Sequence, residues 1–207
     1  MVEYTLVSLS DLLDSFKENE IQKQIKSSFS CAREKDLESF LHEKAILYER
    51  SSLGRTFLFL DKHRLVEGVF SVMGFFTTAQ TSYDISVLSK KRRRKVLGSA
   101  VPGRDTLKSF PAFLIGQIGR NDQYTSKDLN GKTMLNECFL QLEQVSKIIG
   151  GEHVILECRD YMFEKFYKAQ GFQKFVEDPT DGLLTLYNRI KFNELHTSQN
   201  PSYPLSH

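Results

Sequence analysis

The chain has 207 residues, 40% hydrophobic and 26% charged, a balance that suits one globular domain with one core. No apolar run approaches the roughly 20 residues that a membrane span needs. An early acid without a basic start or an apolar block argues against a signal or transit peptide, so the expected location is the cytoplasm. The net charge of +2 is local: Lys90, Lys91, Arg92, Arg93, Arg94, Lys95 and Arg104 fall between Asp84 and Asp105 with no intervening acid, and the remainder is net acidic.

In chain order, residues 4–7 read as a short strand. Ser10 is placed to cap a helix whose apolar positions are Leu12, Leu13, Phe16, Ile21, Ile25 and Phe29. Asp36 starts a second helix with Leu37, Phe40, Leu41, Ala45 and Tyr48 on one face. Residues 56–61 and 65–80 read as an antiparallel hairpin separated by the polar DKHR at 61–64. The basic stretch 86–110 reads as a loop, marked by Pro102 and Gly103. Residues 112–118 are a buried strand and 119–130 a polar loop. The periodicity from Gly131 to Ile149 predicts an amphipathic helix that Gly150 and Gly151 stop. A strand at 153–158, a helix over 161–169 and strands at 172–177 and 183–190 complete the order. The tail from His196 to His207 lacks periodicity and is expected to be disordered. Helices alternate with strands only in places, so the class is α+β with α/β mixed character.

Chemistry concentrates between Ala112 and Phe172. A buried strand feeds a polar loop that opens a helix at Gly131. A helix start presents unpaired amides and the positive end of the helix dipole, which can cradle phosphate where the backbone approaches closely. Gly131 permits that approach, and it also suits a plain turn. Cys31, Cys138 and Cys158 are an odd set without metal-ligand spacing and read as reduced thiols. His42, His63, His153, His196 and His207 are scattered, so no metal site is expected. No Walker pattern or nucleophile elbow occurs.

Residues 126–135 (SKDLNGKTML) and 153–172 (HVILECRDYMFEKFYKAQGF), with 40–49 and 72–80, resemble the GNAT superfamily of acetyltransferases over most of residues 36–190. The first pattern resembles the family's pyrophosphate loop, Gln/Arg-x-x-Gly-x-Gly/Ala. Gly131 takes the last small position, while Ser126 and Leu129 depart from the consensus. In the second, Phe166, Tyr167, Lys168, Gly171 and Phe172 fall in register, with Asp160 and Phe163 replacing the family's Asn and Ala. The resemblance implies a single domain over residues 1–195 with a central, mixed, twisted sheet of six to seven strands and about four flanking helices.

It also implies acetyl-CoA as cofactor, held by Ile118, Gly119, Arg120, Ser126, Leu129, Asn130, Gly131 and Lys132. The amides of Ile118, Gly119 and Arg120 would receive the acetyl oxygen. Tyr167 is the expected catalytic acid, since a phenol stays protonated at neutral pH and can serve a departing thiolate. A packed aromatic role for Tyr167, beside Phe163 and Phe166, stays open. Glu157, Glu43 and His42 are candidate bases, each also readable as a solvated group. Arg120 and Asn121 can equally be solvated loop residues.

The resemblance implies an amine as the acceptor. The segments at 40–45 and 74–79 look similar to those of toxin-type GNATs that acetylate aminoacyl-tRNA. That likeness assigns Lys91, Arg92, Arg93, Arg94 and Lys95 to transfer RNA, against the alternative of a solvated loop. A second copy of the chain is a further candidate partner, and no membrane is expected. Two alternatives remain: a degenerate GNAT-fold protein binding CoA or nucleic acid without turnover, and an acetyltransferase acting on small amines or proteins.

Overall fold

The computed structural model describes residues 2–98, 101–175 and 182–192. The tail at 196–207 lies outside them. The chain forms two compact units, residues 1–81 with 113–140, and residues 82–112 with Gln141 onward.

The first unit begins with β1 (Tyr4–Ser8), α1 (Leu9–Ser15) and α2 (Glu18–Ser28). The cap is Ser8 rather than Ser10: its Oγ accepts from the Asp11 amide at 3.2 Å. The single helix expected over this stretch breaks in two, because Phe16 takes extended backbone. The expected second helix starts at Lys35 and has three parts: α3 (Lys35–Ser39), a π-helical turn (Phe40–Lys44) and α4 (Ala45–Arg50). The wide turn buries Phe40 and Leu41 side by side.

β2 (Arg55–Asp61) follows, and residues 62–66 then form a short helix, α5, in place of the expected polar turn. Asp61 caps it by accepting from the His63 and Arg64 amides. β3 therefore begins at Val72 and not at Leu65, and it runs to Asp84. β1 pairs with β2 and β2 with β3, both antiparallel. The second register slips between Phe59 and Leu60, leaving Met73 as an extra residue on β3, a bulge.

β4 (Ser109–Arg120) lies beside β3. Gly74 meets Gly119, and Gly116 meets Thr77, so the two strands run in opposite directions. The last strand residues are thus Ile118, Gly119 and Arg120, which the sequence reading placed at the strand's open end. α7 (Gly131–Ile149) matches its expected bounds. The core joins Leu9, Ile21, Ile25 and Phe29 of the first helices to Phe40, Leu41, Leu58, Leu60 and Phe75.

In the second unit the basic stretch is not a loop. Residues 90–97 form α6, capped by Ser89, with Val96 and Leu97 buried against Ile85, Phe175 and Tyr187. Pro102 and Gly103 follow the helix rather than define the region. β5 (His153–Arg159) pairs antiparallel with β7 (Leu183–Arg189), and β6 (Gln173–Lys174) pairs antiparallel with the other side of β7. β6 is shorter than the strand expected at 172–177, whose last two residues lie outside the described residues. The helix expected over 161–169 divides into α8 (Asp160–Lys165) and a 3-10 turn (Tyr167–Gln170), because Phe166 leaves helical geometry. The α+β class matches expectation, and the described residues hold seven strands, within the six to seven expected. The helical segments are more numerous than the four expected, mainly because breaks divide the N-terminal helices and α5 and α6 replace loops.

Candidate functional site

The loop before α7 is built from its own short hydrogen bonds. Asp128 Oδ2 accepts from both the amide and the hydroxyl of Thr125, each at 2.8 Å. The amides of Asp128 and Leu129 return to the Thr125 carbonyl. These bonds hold the Asp128 carboxyl below its ordinary pKa, the amide bond foremost, with a small further pull from the Arg120 cation. Asn130 caps α7: its Oδ1 accepts from the Thr133 amide at 2.8 Å. The amides of Asn130, Gly131 and Lys132 find no acceptor among the described residues. They stand at the head of a 19-residue helix, where the dipole favours an anion.

Leu129, the departure from the glycine of the family pattern, is fully buried. Its Cδ2 lies 3.0 Å from where a Cβ on Gly74 would sit, beside Met134 Cε and the Gly119 carbonyl. The side chain thus points into the protein and leaves the amide face of the loop uncovered. Ser126, the other departure, is exposed, as is Lys132. On these grounds the loop fits the pyrophosphate of acetyl-CoA, which Asn130, Gly131 and Lys132 would hold.

β4 and the loop are joined directly. Arg120 Nη1 donates to the Leu129 carbonyl at 3.0 Å. Asn121, one of the pair that could have been solvated, is fully buried. Its Nδ2 donates to the carbonyls of Ser28 and Val72, each at 2.6 Å, and its amide donates to the bulged Met73 carbonyl at 2.9 Å. Asp122 next to it accepts from the Ala32 amide and pairs with Arg33. The sequence reading did not single out Gly74, and it left Asn121 open to a solvated loop role. The signal for the first was present: a glycine inside an aromatic strand marks close backbone approach.

Tyr167 opens the 3-10 turn of the second unit, 5% exposed and edge-on to Phe166 and Phe172. Gly171 follows with φ +87°, where a side chain would be strained and would crowd Asn188. Tyr167 is therefore held by packing, as the aromatic reading holds, and a packed phenol can still carry a proton. Of the candidate bases, Glu157 is exposed on β5. Glu43 is exposed and accepts from Ser39. His42 places Nε2 3.0 Å from the Phe29 carbonyl.

The cations of 90–95 separate into two groups. Arg92 Nη2 reaches the carbonyls of Lys174 and Phe175. Arg93 donates to four carbonyls, those of Leu88, Asp105, Leu107 and Ser86. Lys90, Lys91, Arg94 and Lys95 are exposed. Among the described residues no cluster of His, Cys, Asp and Glu suits a metal, and no helix is long and apolar enough to cross a membrane. The three cysteines are buried thiols.

The fold is of the GNAT type, an α+β arrangement shared with solved toxin structures. No family model and no curated protein matches the sequence. Similar solved structures include a bacterial toxin, 14% identical, with a TM-score of 0.72 over 99% of this chain and 100% of that one. A tyrosine-to-phenylalanine mutant of the toxin AtaT, bound to the C-terminus of the antitoxin AtaR and acetyl-CoA, is 16% identical, with a TM-score of 0.64 over 95% and 99%. AtaT complexed with acetyl-methionyl-tRNAfMet is 18% identical, with a TM-score of 0.62 over 88% and 94%. At such identities the likeness is one of fold.

Proposed function

We propose that the chain transfers the acetyl group of acetyl-CoA to a primary amine, and that this amine is the aminoacyl group of charged transfer RNA. The observation that carries the reading is the loop ahead of α7: three amides without acceptors among the described residues, on a helix start, with Leu129 turned into the core. The likeness in fold to a toxin bound to acetyl-CoA supports the same cofactor. The complex of AtaT with acetyl-methionyl-tRNAfMet supports the acceptor.

Acetyl-CoA supplies an activated acetyl thioester whose leaving group is a thiolate. The amides of Asn130, Gly131 and Lys132 hold its phosphates, and Ser126 and the Lys132 ammonium stand exposed beside them. The amides of Ile118, Gly119 and Arg120 are the donors for the acetyl oxygen as charge develops there. Tyr167 would give its phenolic proton to the departing sulfur, and the amine, on bonding to the acetyl carbon, would return one proton to the tyrosinate, so the count balances. No base is needed when the amine is neutral, and an aminoacyl ester lowers its amine pKa.

The form of α6 supports an RNA acceptor. At 100° per residue, positions 90, 91, 94 and 95 share one side and 92 and 93 the other. The cations on the first side are exposed, while Arg92 and Arg93 are committed to backbone carbonyls. Arg92 and Arg93 are thus structural, and Lys91, Arg94 and Lys95, with Lys90, carry the phosphate reading. This reading places the protein in the cytoplasm, where charged transfer RNA is found.

The test is incubation with labelled acetyl-CoA and a panel of charged transfer RNAs, peptides and polyamines, using wild type and Tyr167→Phe. Label should pass to aminoacyl-tRNA. Turnover of the variant should fall by about 10²-fold or more with acetyl-CoA affinity retained. Label on peptides or polyamines alone overturns the acceptor. Acetyl-CoA binding without transfer to any acceptor favours the non-catalytic alternative.

A further inference from the structure

Leu129 is fixed at both its ends. Its side chain is wedged against Gly74, whose missing Cβ would lie 3.0 Å from Leu129 Cδ2 and 2.9 Å from the Gly119 carbonyl. Its carbonyl accepts from Arg120 Nη1 at 3.0 Å. Arg120 in turn stands on a rigid base. The next residue, Asn121, is clamped by the Ser28 and Val72 carbonyls and by the bulged Met73 carbonyl. The Arg120 Nε–H is buried and has no acceptor among the described residues. A buried guanidinium donor without a partner is costly, so the site where it stands is one the sequence retains at a penalty.

The amides of Asn130, Gly131 and Lys132 begin one residue after this fixed point, and the Asn130 cap sets their direction. We infer that the Arg120 side chain is a positioning residue for the phosphate-binding loop, locking Leu129 so that the amides of residues 130–132 are set for a phosphate before it arrives. This rests on the acetyl-CoA reading above and extends it to a side chain that the sequence assigned only through its backbone. Preorganisation of this kind strengthens binding by removing an ordering cost. It acts on the phosphate-bearing half of the ligand and not on the thioester.

The experiment compares two ligands by calorimetry, acetyl-CoA and S-acetylpantetheine, which has the thioester arm but no phosphate. Wild type, Arg120→Ala and Arg120→Lys are measured, with thermal melting as a check on folding. Arg120→Ala should raise the Kd for acetyl-CoA about tenfold or more, as expected when a charge-assisted hydrogen bond is lost. Its Kd for S-acetylpantetheine should stay within about twofold of wild type. Arg120→Lys, which keeps a cationic donor for the Leu129 carbonyl, should recover part of the loss. An unchanged acetyl-CoA Kd in Arg120→Ala overturns the lock. Equal weakening of both ligands also overturns it, since that is the mark of a general structural defect. If Arg120→Ala fails to fold, Arg120→Lys decides by the same ratio of ligands. Wild type that binds neither ligand sinks the acetyl-CoA reading itself, and the lock with it.

Discussion

Asn121 shows how much of the site depends on one side chain that touches no expected reactant. It is fully buried and gives both of its Nδ2 protons to carbonyls from different elements, α2 and β3. Asn121→Ala would leave the Ser28 and Val72 carbonyls without that donor in a dry environment. A buried acceptor left unsatisfied costs about 1–3 kcal/mol, so the variant should lose about 3 kcal/mol of stability, read from the midpoint of urea unfolding with the slope unchanged. A shift of less than about 0.5 kcal/mol would mean that solvent reaches those carbonyls. The sequence offered a solvated loop residue here because nothing local distinguishes a buried amide from an exposed one. The long-range partners decide it.

At the scale of the element, α6 owes its place to contacts outside itself. Six consecutive cations repel one another, and the helix has no acid in its first turn to favour the dipole. It forms because Ser89 caps its start, Val96 and Leu97 are buried, and Arg93 gathers carbonyls from both flanks. His153 of β5 adds a tether, its Nε2 lying 3.0 Å from the Val96 carbonyl with the ring edge-on to Phe110. Burial pushes the His153 pKa below the ordinary 6.5, and the bond to Val96 opposes this more weakly. Protonation therefore favours the unfolded chain, where the imidazole titrates near 6.5. The stability contributed by neutral His153 is fully present above that value and is lost as pH falls through the depressed folded pKa. His153→Gln retains an amide donor without a titration. Melting temperatures between pH 7 and 5 should fall more steeply for wild type than for this variant. Parallel curves would place the acid sensitivity elsewhere.

For the whole molecule, the charge asymmetry reads as a division of labour within α6. The chain is net +2, and its exposed α6 cations are Lys90, Lys91, Arg94 and Lys95. Changing these four to Gln should leave acetyl-CoA affinity intact. It should also flatten the salt dependence of transfer RNA binding, by up to about three in the slope of log K against log salt at roughly 0.7–0.9 per phosphate. Changing Arg92 and Arg93 to Gln should instead lower the melting temperature, because their carbonyl partners lose charge-assisted donors. Filter binding at two salt concentrations, beside thermal melts of both variants, separates the roles. A salt slope equal to wild type in the fourfold variant would return α6 to a solvated face.

The sequence by itself determined the α+β class, the bounds of α7, the strand at 153–158 and the loop whose amides open at Gly131. Each is written in a local signal: a 3.6-residue periodicity, a continuous apolar run, a glycine at a helix start. Tertiary structure alone decided that residues 90–97 are helical, that β3 carries a bulge at Met73, and that Arg92, Arg93 and Asn121 donate to backbone carbonyls. Those outcomes depend on which carbonyls, near and far along the chain, lie within hydrogen-bond reach. Leu129 joins the two levels. In sequence it replaces a glycine and casts doubt on the loop, whereas in the fold Gly74 supplies the missing space and the leucine turns inward. Side-chain direction follows from packing volume, which no single segment of the chain contains.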